Sequence, residues 1–132
     1  MKLDNQGLKS ILRKEILHKR NSLSQFQIAS ICKLIQKNLI ESPEFIESKS
    51  IGIYLPIGSE VRTADIIRNA LESKKTLLLP RVITNDLRFY IVEKKEFDQD
   101  SFDINKFGVK EPKETNGNLD FIDLLIVPGI AF

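Results

Sequence analysis

Apolar residues recur along this chain with two different periods, and the change of period marks out its elements. Leu8, Ile11, Leu12, Ile16 and Leu17 fall three and four residues apart, the spacing of one helical face. Asn21-Ser-Leu-Ser24 breaks that run, and Ser22 or Ser24 is placed to cap a second helix. Ile28, Ile31, Cys32, Ile35, Leu39 and Ile40 then continue at helical intervals. Pro43 ends that helix or opens a short further turn with Phe45 and Ile46 inward. From Ser50 the pattern changes. Ser50-Ile-Gly-Ile-Tyr-Leu-Pro56 reads as a strand rich in β-branched and aromatic residues. Thr63 is placed to cap a helix whose buried face is Ile66, Ile67, Ala70 and Leu71, with Asp65 in its first turn. Thr76-Leu-Leu-Leu-Pro80 is the next strand. Strand, helix and strand in this order form a βαβ crossover and imply a parallel pair.

Leu87–Val92 reads as a further strand after an Asn85-Asp86 turn. Residues 93–118 are polar and irregular, a long surface loop with one helical turn near Phe97; loops of such length are functional or disordered. Phe121–Val127 is almost wholly apolar, as a central parallel strand is. The fold class implied is α/β: three layers, a mostly parallel sheet with helices on both faces, in a single domain over residues 1–132. Residues 1–7 read as loose. The last apolar strand runs into Pro128-Gly129 and the chain stops at Phe132, where a loop beyond a strand's carboxyl end would be expected to bind ligand. The expectation is therefore a sheet incomplete at its C-terminus, with an exposed edge that invites association.

Composition narrows the chemistry. Hydrophobic residues at 42% and charged residues at 29% suit a globular protein with a core. A net charge of +2 with Lys and Arg interleaved among acids argues against a nucleic-acid surface. The exception is the N-terminal third, where Lys9, Arg13, Lys14, Lys19 and Arg20 stand against Glu15. A single cysteine excludes an intrachain disulfide, and Cys32 falls in an apolar stretch as a core or boundary residue. The single histidine, His18, reads as a solvated helix position. No apolar run is long enough to span a membrane and no apolar leader opens the chain, so no membrane partner and a cytoplasmic location are expected.

Neither a dinucleotide-binding nor a P-loop glycine pattern is present. Lys9 and Arg13, four apart, share a helix face and can bracket a polyphosphate; basic pairs on solvated helices are also common. Glu60, in the loop after the first strand, can accept hydrogen bonds from ligand amino groups or be a plain surface acid. Phe107-Gly108 can cover a flat ligand or pin the loop.

Five short segments in order resemble 5-formyltetrahydrofolate cyclo-ligase, also called 5,10-methenyltetrahydrofolate synthetase. They are Lys9-Ser-Ile-Leu-Arg13, Ile53–Glu60 with Thr63, Leu79-Pro-Arg81, Lys106–Pro112 and Asp123–Phe132. The resemblance implies an ATP-dependent enzyme of folate one-carbon metabolism. Lys9, Ser10, Ile11, Leu12 and Arg13 would contact ATP, and Leu55, Glu60 and Phe107 the folate. Members of the family continue past the last segment into a glycine-rich stretch that wraps the ATP phosphates and bears on Mg2+; on that ground reduced activity is expected for these 132 residues. A non-catalytic folate-binding or partner-recognition module of the same fold is the alternative, and an unrelated α/β domain a third.

Overall fold

The computed structural model describes residues 4–131. The elements in order are α1 (Asn5–Asn21), α2 (Gln25–Ile40), α3 (Pro43–Glu47), β1 (Ser50–Ile53), α4 (Ala64–Glu72), β2 (Thr76–Ile83), β3 (Asp86–Val92), α5 (Lys94–Gln99), β4 (Asp103–Ile104), β5 (Lys110–Glu111) and β6 (Leu124–Ile126). The main sheet has the order β3-β2-β1-β6. β1 pairs in parallel with both β2 and β6, while β2 and β3 form an antiparallel hairpin. This is the expected α/β class with a mostly parallel sheet.

Local chemistry explains most element ends. Asp4 accepts a hydrogen bond from Gly7 N at 2.6 Å, so α1 starts at Asn5, earlier than its apolar spacing suggests. Of the two candidate caps for α2, Ser24 is used: its Oγ accepts from Gln27 N while Gln27 Oε1 accepts from Ser24 N. Ser42 caps α3, where Pro43 occupies the first turn. Phe45 is buried there, but Ile46 is 62% exposed; in so short a helix adjacent residues diverge by about 100° and cannot both face inward.

Thr63 does not cap α4 with its side chain. Its hydroxyl donates to Tyr54 O at 3.1 Å. The open N–H groups of Asp65 and Ile66 are instead accepted by Oε1 of Gln36, at 2.8 and 3.4 Å, from the middle of α2. Gln36 is itself buried at 4% exposure, so a polar core residue ties two helices together.

Ile51 and Ile53 of β1, Leu77 and Leu79 of β2 and Val92 of β3 form the core with Phe45, Ile66, Ile67 and Ala70. Their alternation puts Gly52, Leu78 and Leu125 on the other face of the sheet. A Cβ at Gly52 would meet Leu125 Cδ1 at 2.8 Å, so a side chain there would push the end of Leu125 aside from β1.

Two strands depart from the sequence reading. β2 does not stop at Pro80 but runs to Ile83, because Pro80 faces Phe89 in a two-stranded extension where a missing N–H is tolerated. The last apolar segment forms a strand of three residues, not seven, and among the described residues it lies at the edge of the sheet, paired to β1 alone. The polar stretch 93–118 is ordered by α5 and the β4–β5 hairpin. Arg81 holds that hairpin: Nη1 donates to Asp103 Oδ2 at 2.6 Å and to Pro112 O at 2.9 Å. Arg81 Nε is buried without a hydrogen bond, with the Glu114 carboxylate 3.5 Å away. Glu111 adds a further tie by accepting from Val82 N at 2.8 Å. Among the described residues no helix is long and apolar enough to cross a membrane.

Candidate functional site

The strand order creates the site. The chain leaves β1 toward α4 and β2 on one side, while β6 lies against β1 on the other. Loops after such a pair diverge and leave a crevice beyond the carboxyl ends of the strands, where open α/β sheets bind ligands. A cleft of about 570 Å³ occupies this place. Residues 57–60 form one wall, residues 128–131 another, and Arg13, Leu17 and Arg20 of α1 lie across it.

The loop after β1 is built to hold its shape. Gly58 sits at φ 58° with open space where a side chain would be, so the chain turns there without strain. Glu60 N donates to Ile57 O at 3.2 Å to close the turn. Tyr54 donates its phenolic O–H to Val61 O at 2.7 Å. Arg20 Nε donates to Ser59 Oγ at 2.9 Å, which fastens α1 to the loop. Burial raises the Tyr54 pKa first, the nearby Glu60 charge raises it further, and Arg20 acts in the opposite direction.

That shift has a measurable sign. A folded-state pKa above the unfolded value leaves the contribution whole at neutral pH. It is lost as pH climbs past about 10, where the unfolded tyrosine ionises first. The stability gap between wild type and Tyr54→Phe is therefore expected to be constant near neutrality and to shrink at alkaline pH. Urea midpoints of both proteins between neutral and strongly alkaline pH check this; a gap that stays constant throughout contradicts it.

Arg13 and Glu60, singled out separately in the sequence, line this one cleft. Lys9 is exposed one turn before Arg13 and is not among the lining residues; Ser10, Ile11 and Leu12 are exposed on the same helix. Leu55 lies elsewhere. It lines a second, apolar cleft of about 420 Å³ between α4 and α5, with Ile67, Leu71 and Phe97. The reason is geometric: β1 ends at Ile53, and Leu55 keeps the inward side of that alternation while the turn at Gly58 swings Glu60 away. Phe107 stands near the tip of the β4–β5 hairpin at 72% exposure, with the Lys106 ammonium 5.2 Å from its ring centre. Arg20, named in the sequence only as part of the basic N-terminal third, joins Arg13 on this lining with Leu17 and Ser59. Arg20 is seven residues beyond Arg13, two helical turns on the same face, so its place was readable from the spacing.

The sequence model of the 5-formyltetrahydrofolate cyclo-ligase family matches residues 5–132. The chain belongs to this family. A probable 5-formyltetrahydrofolate cyclo-ligase of Caenorhabditis elegans is 26% identical over 133 residues, covering 95% of this chain and 64% of that protein. The NMR structure of 5,10-methenyltetrahydrofolate synthetase from Aquifex aeolicus is similar with a TM-score of 0.78 and 34% identity, over 94% of this chain and 62% of that one. The structure of the Mycoplasma pneumoniae 5,10-methenyltetrahydrofolate synthetase shares the fold at a TM-score of 0.62 and 22% identity, over 94% and 65%. The chain thus spans less than two thirds of the length of these relatives. The segments that form this chain's cleft, the second half of α1, the turn after β1 and the loop after β6, all fall within the matched residues.

Proposed function

We propose that this chain serves the ATP-dependent conversion of 5-formyltetrahydrofolate to 5,10-methenyltetrahydrofolate, with both substrates in the cleft at the carboxyl ends of β1 and β6. The observation that carries the reading is that Arg13, Arg20, Glu60, Pro128 and Gly129, from three separate segments, line one cleft. In this scheme the γ-phosphoryl group leaves ADP and bonds to the formyl oxygen. The N10 lone pair attacks the formyl carbon, the carbon–oxygen bond breaks to release phosphate, and the N10 proton passes to solvent. Little covalent chemistry is asked of the protein, so its contribution is positioning and charge. Arg13 and Arg20 offset phosphate charge, with Lys9 adding to the field from one turn away. Glu60 accepts hydrogen bonds from the amino-bearing edge of the folate ring. Leu55, on the second cleft, and Phe107, near the hairpin tip, lie off this cleft lining, and no folate contact is assigned to them in this scheme.

Among the described residues Mg2+ finds no dedicated seat. Among the described residues no three His, Cys, Asp or Glu side chains are grouped to hold a metal, and Glu60 is the one acid on the described cleft lining. No step is assigned to the metal.

Titration with 5-formyltetrahydrofolate and with ATP tests the reading. Glu60→Gln keeps the shape but exchanges a charged acceptor for a neutral one, so its folate Kd is expected to rise about fivefold to tenfold, one charge-assisted hydrogen bond weakened, with ATP affinity unchanged. Folate binding with no nucleotide binding would favour a non-catalytic binding module. Equal affinities for Glu60→Gln and wild type would remove Glu60 from the folate site.

A further inference from the structure

α1 carries both cleft arginines yet has little packing of its own. None of its 17 residues is buried, and only Gly7, Ile16, Leu17 and Arg20 are half-buried. Helices in proteins owe most of their stability to tertiary packing, so the standing of α1 depends on what holds its last turn. Among the described residues one hydrogen bond joins α1 to the turn at residues 57–60. It runs from Arg20 Nε to Ser59 Oγ over 2.9 Å and is partly shielded from solvent. Because the donor is Nε, both Nη groups of Arg20 stay open to the cleft that the residue lines.

Both ends of this bond are seated. Arg20 stands where α1 closes, with Ser22 N donating to His18 O and Leu23 N to Arg20 O. Ser59 lies inside the turn that Glu60 N closes on Ile57 O, just before Val61, whose carbonyl accepts from Tyr54. We propose that Arg20 is a positioning residue of the cleft: through Ser59 it fixes α1 to the turn that carries Glu60, and so sets where Arg13 stands relative to Glu60, apart from any contact of its own with phosphate. About 10 Å of helix separates Arg20 from Arg13, so a small tilt at the anchor becomes a larger displacement at Arg13. This rests on the cleft holding nucleotide and folate as proposed: both ligands then depend on the bond, although Ser59 brings no charge to either.

The test compares wild type with Ser59→Ala, Ser59→Thr, Arg20→Ala and the double alanine variant. Without ligand, amide exchange in the last two turns of α1 is expected to run at least about threefold faster in Ser59→Ala, while β1 exchange and the urea midpoint stay as in wild type. Calorimetry of Ser59→Ala with ATP and with 5-formyltetrahydrofolate is expected to show both Kd values raised about threefold to tenfold, the worth of one hydrogen bond, although every charge in the cleft remains. Ser59→Thr restores the hydroxyl and is expected to bind both within about twofold of wild type. Once Arg20 is alanine the bond is gone, so adding Ser59→Ala is expected to change the folate Kd by less than about twofold. Unchanged α1 exchange in Ser59→Ala, a threonine variant as weak as the alanine one, or additive losses from the two alanines each overturn the proposal. A wild-type chain that binds neither ATP nor folate refutes the proposed function instead; α1 exchange then decides the anchor by itself, faster in support and unchanged against.

Discussion

Replacing Arg13 with alanine is expected to weaken ATP binding about 10-fold to 100-fold while leaving folate affinity within a factor of about two. The range follows from the loss of a charge-assisted hydrogen bond, about 1.5–3 kcal/mol, at about 1.4 kcal/mol per decade of affinity. Arg13 is exposed on α1 and lines the same cleft as Glu60, so its removal should leave the fold untouched. Arg13→Lys keeps the charge but loses the planar fork, and an intermediate affinity is expected. Lys9→Ala, one turn from the lining, should have a smaller effect, and one that added salt abolishes. Calorimetric titration of the four proteins with ATP checks the order wild type, Lys9→Ala, Arg13→Lys, Arg13→Ala. If Lys9→Ala is the weakest binder, the phosphates lie along α1 outside the cleft.

The second large effect is on stability. Gln36→Leu is expected to cost about 2–4 kcal/mol, because the N–H groups of Asp65 and Ile66 lose their shared acceptor. Each unsatisfied donor costs about 1–3 kcal/mol, and the Ile66 bond at 3.4 Å contributes the smaller part. Leucine is close in volume, so a cavity does not confuse the result. Gln36→Glu, which retains an acceptor, should recover part of the loss at neutral pH. Urea denaturation gives the comparison directly. A loss under about 0.5 kcal/mol for Gln36→Leu, the size of an ordinary surface change, would mean that water replaces the cap.

What could be read from the sequence, and what could not, divides by range of interaction. Features set within a few residues were legible: the helical spacing of α1 and α2, the Ser24 cap, the β1–α4–β2 crossover and the side-by-side placement of Lys9 and Arg13. Features set by partners far along the chain were not. Thr63 has the residue type of a cap, but a core glutamine from another helix takes the role. Residues 93–118 look irregular because their order comes from β2: Arg81 bonds Asp103 and Pro112, and Glu111 accepts from Val82 N, partners 22 to 31 residues apart. The apolar run at 121–127 matches a central strand, but only Leu124–Ile126 pairs, among the described residues with β1 alone, a partner more than 70 residues away. At the site, the motif carrying Leu55 and Glu60 is continuous in sequence, yet the turn at Gly58 sends the two side chains to different clefts. Arg20 and Ser59, which lock α1 to that turn, lie 39 residues apart and meet only in three dimensions.

The central claim is that one cleft, beyond the ends of β1 and β6, receives the nucleotide. The most direct measurement is an amide chemical-shift titration of the isotope-labelled chain with ATP. Saturable changes are expected at Arg13, Arg20, Ser59, Glu60 and Gly129. Changes confined to the second cleft around Ile67, Leu71 and Phe97, or no saturable change at millimolar ATP, would contradict it.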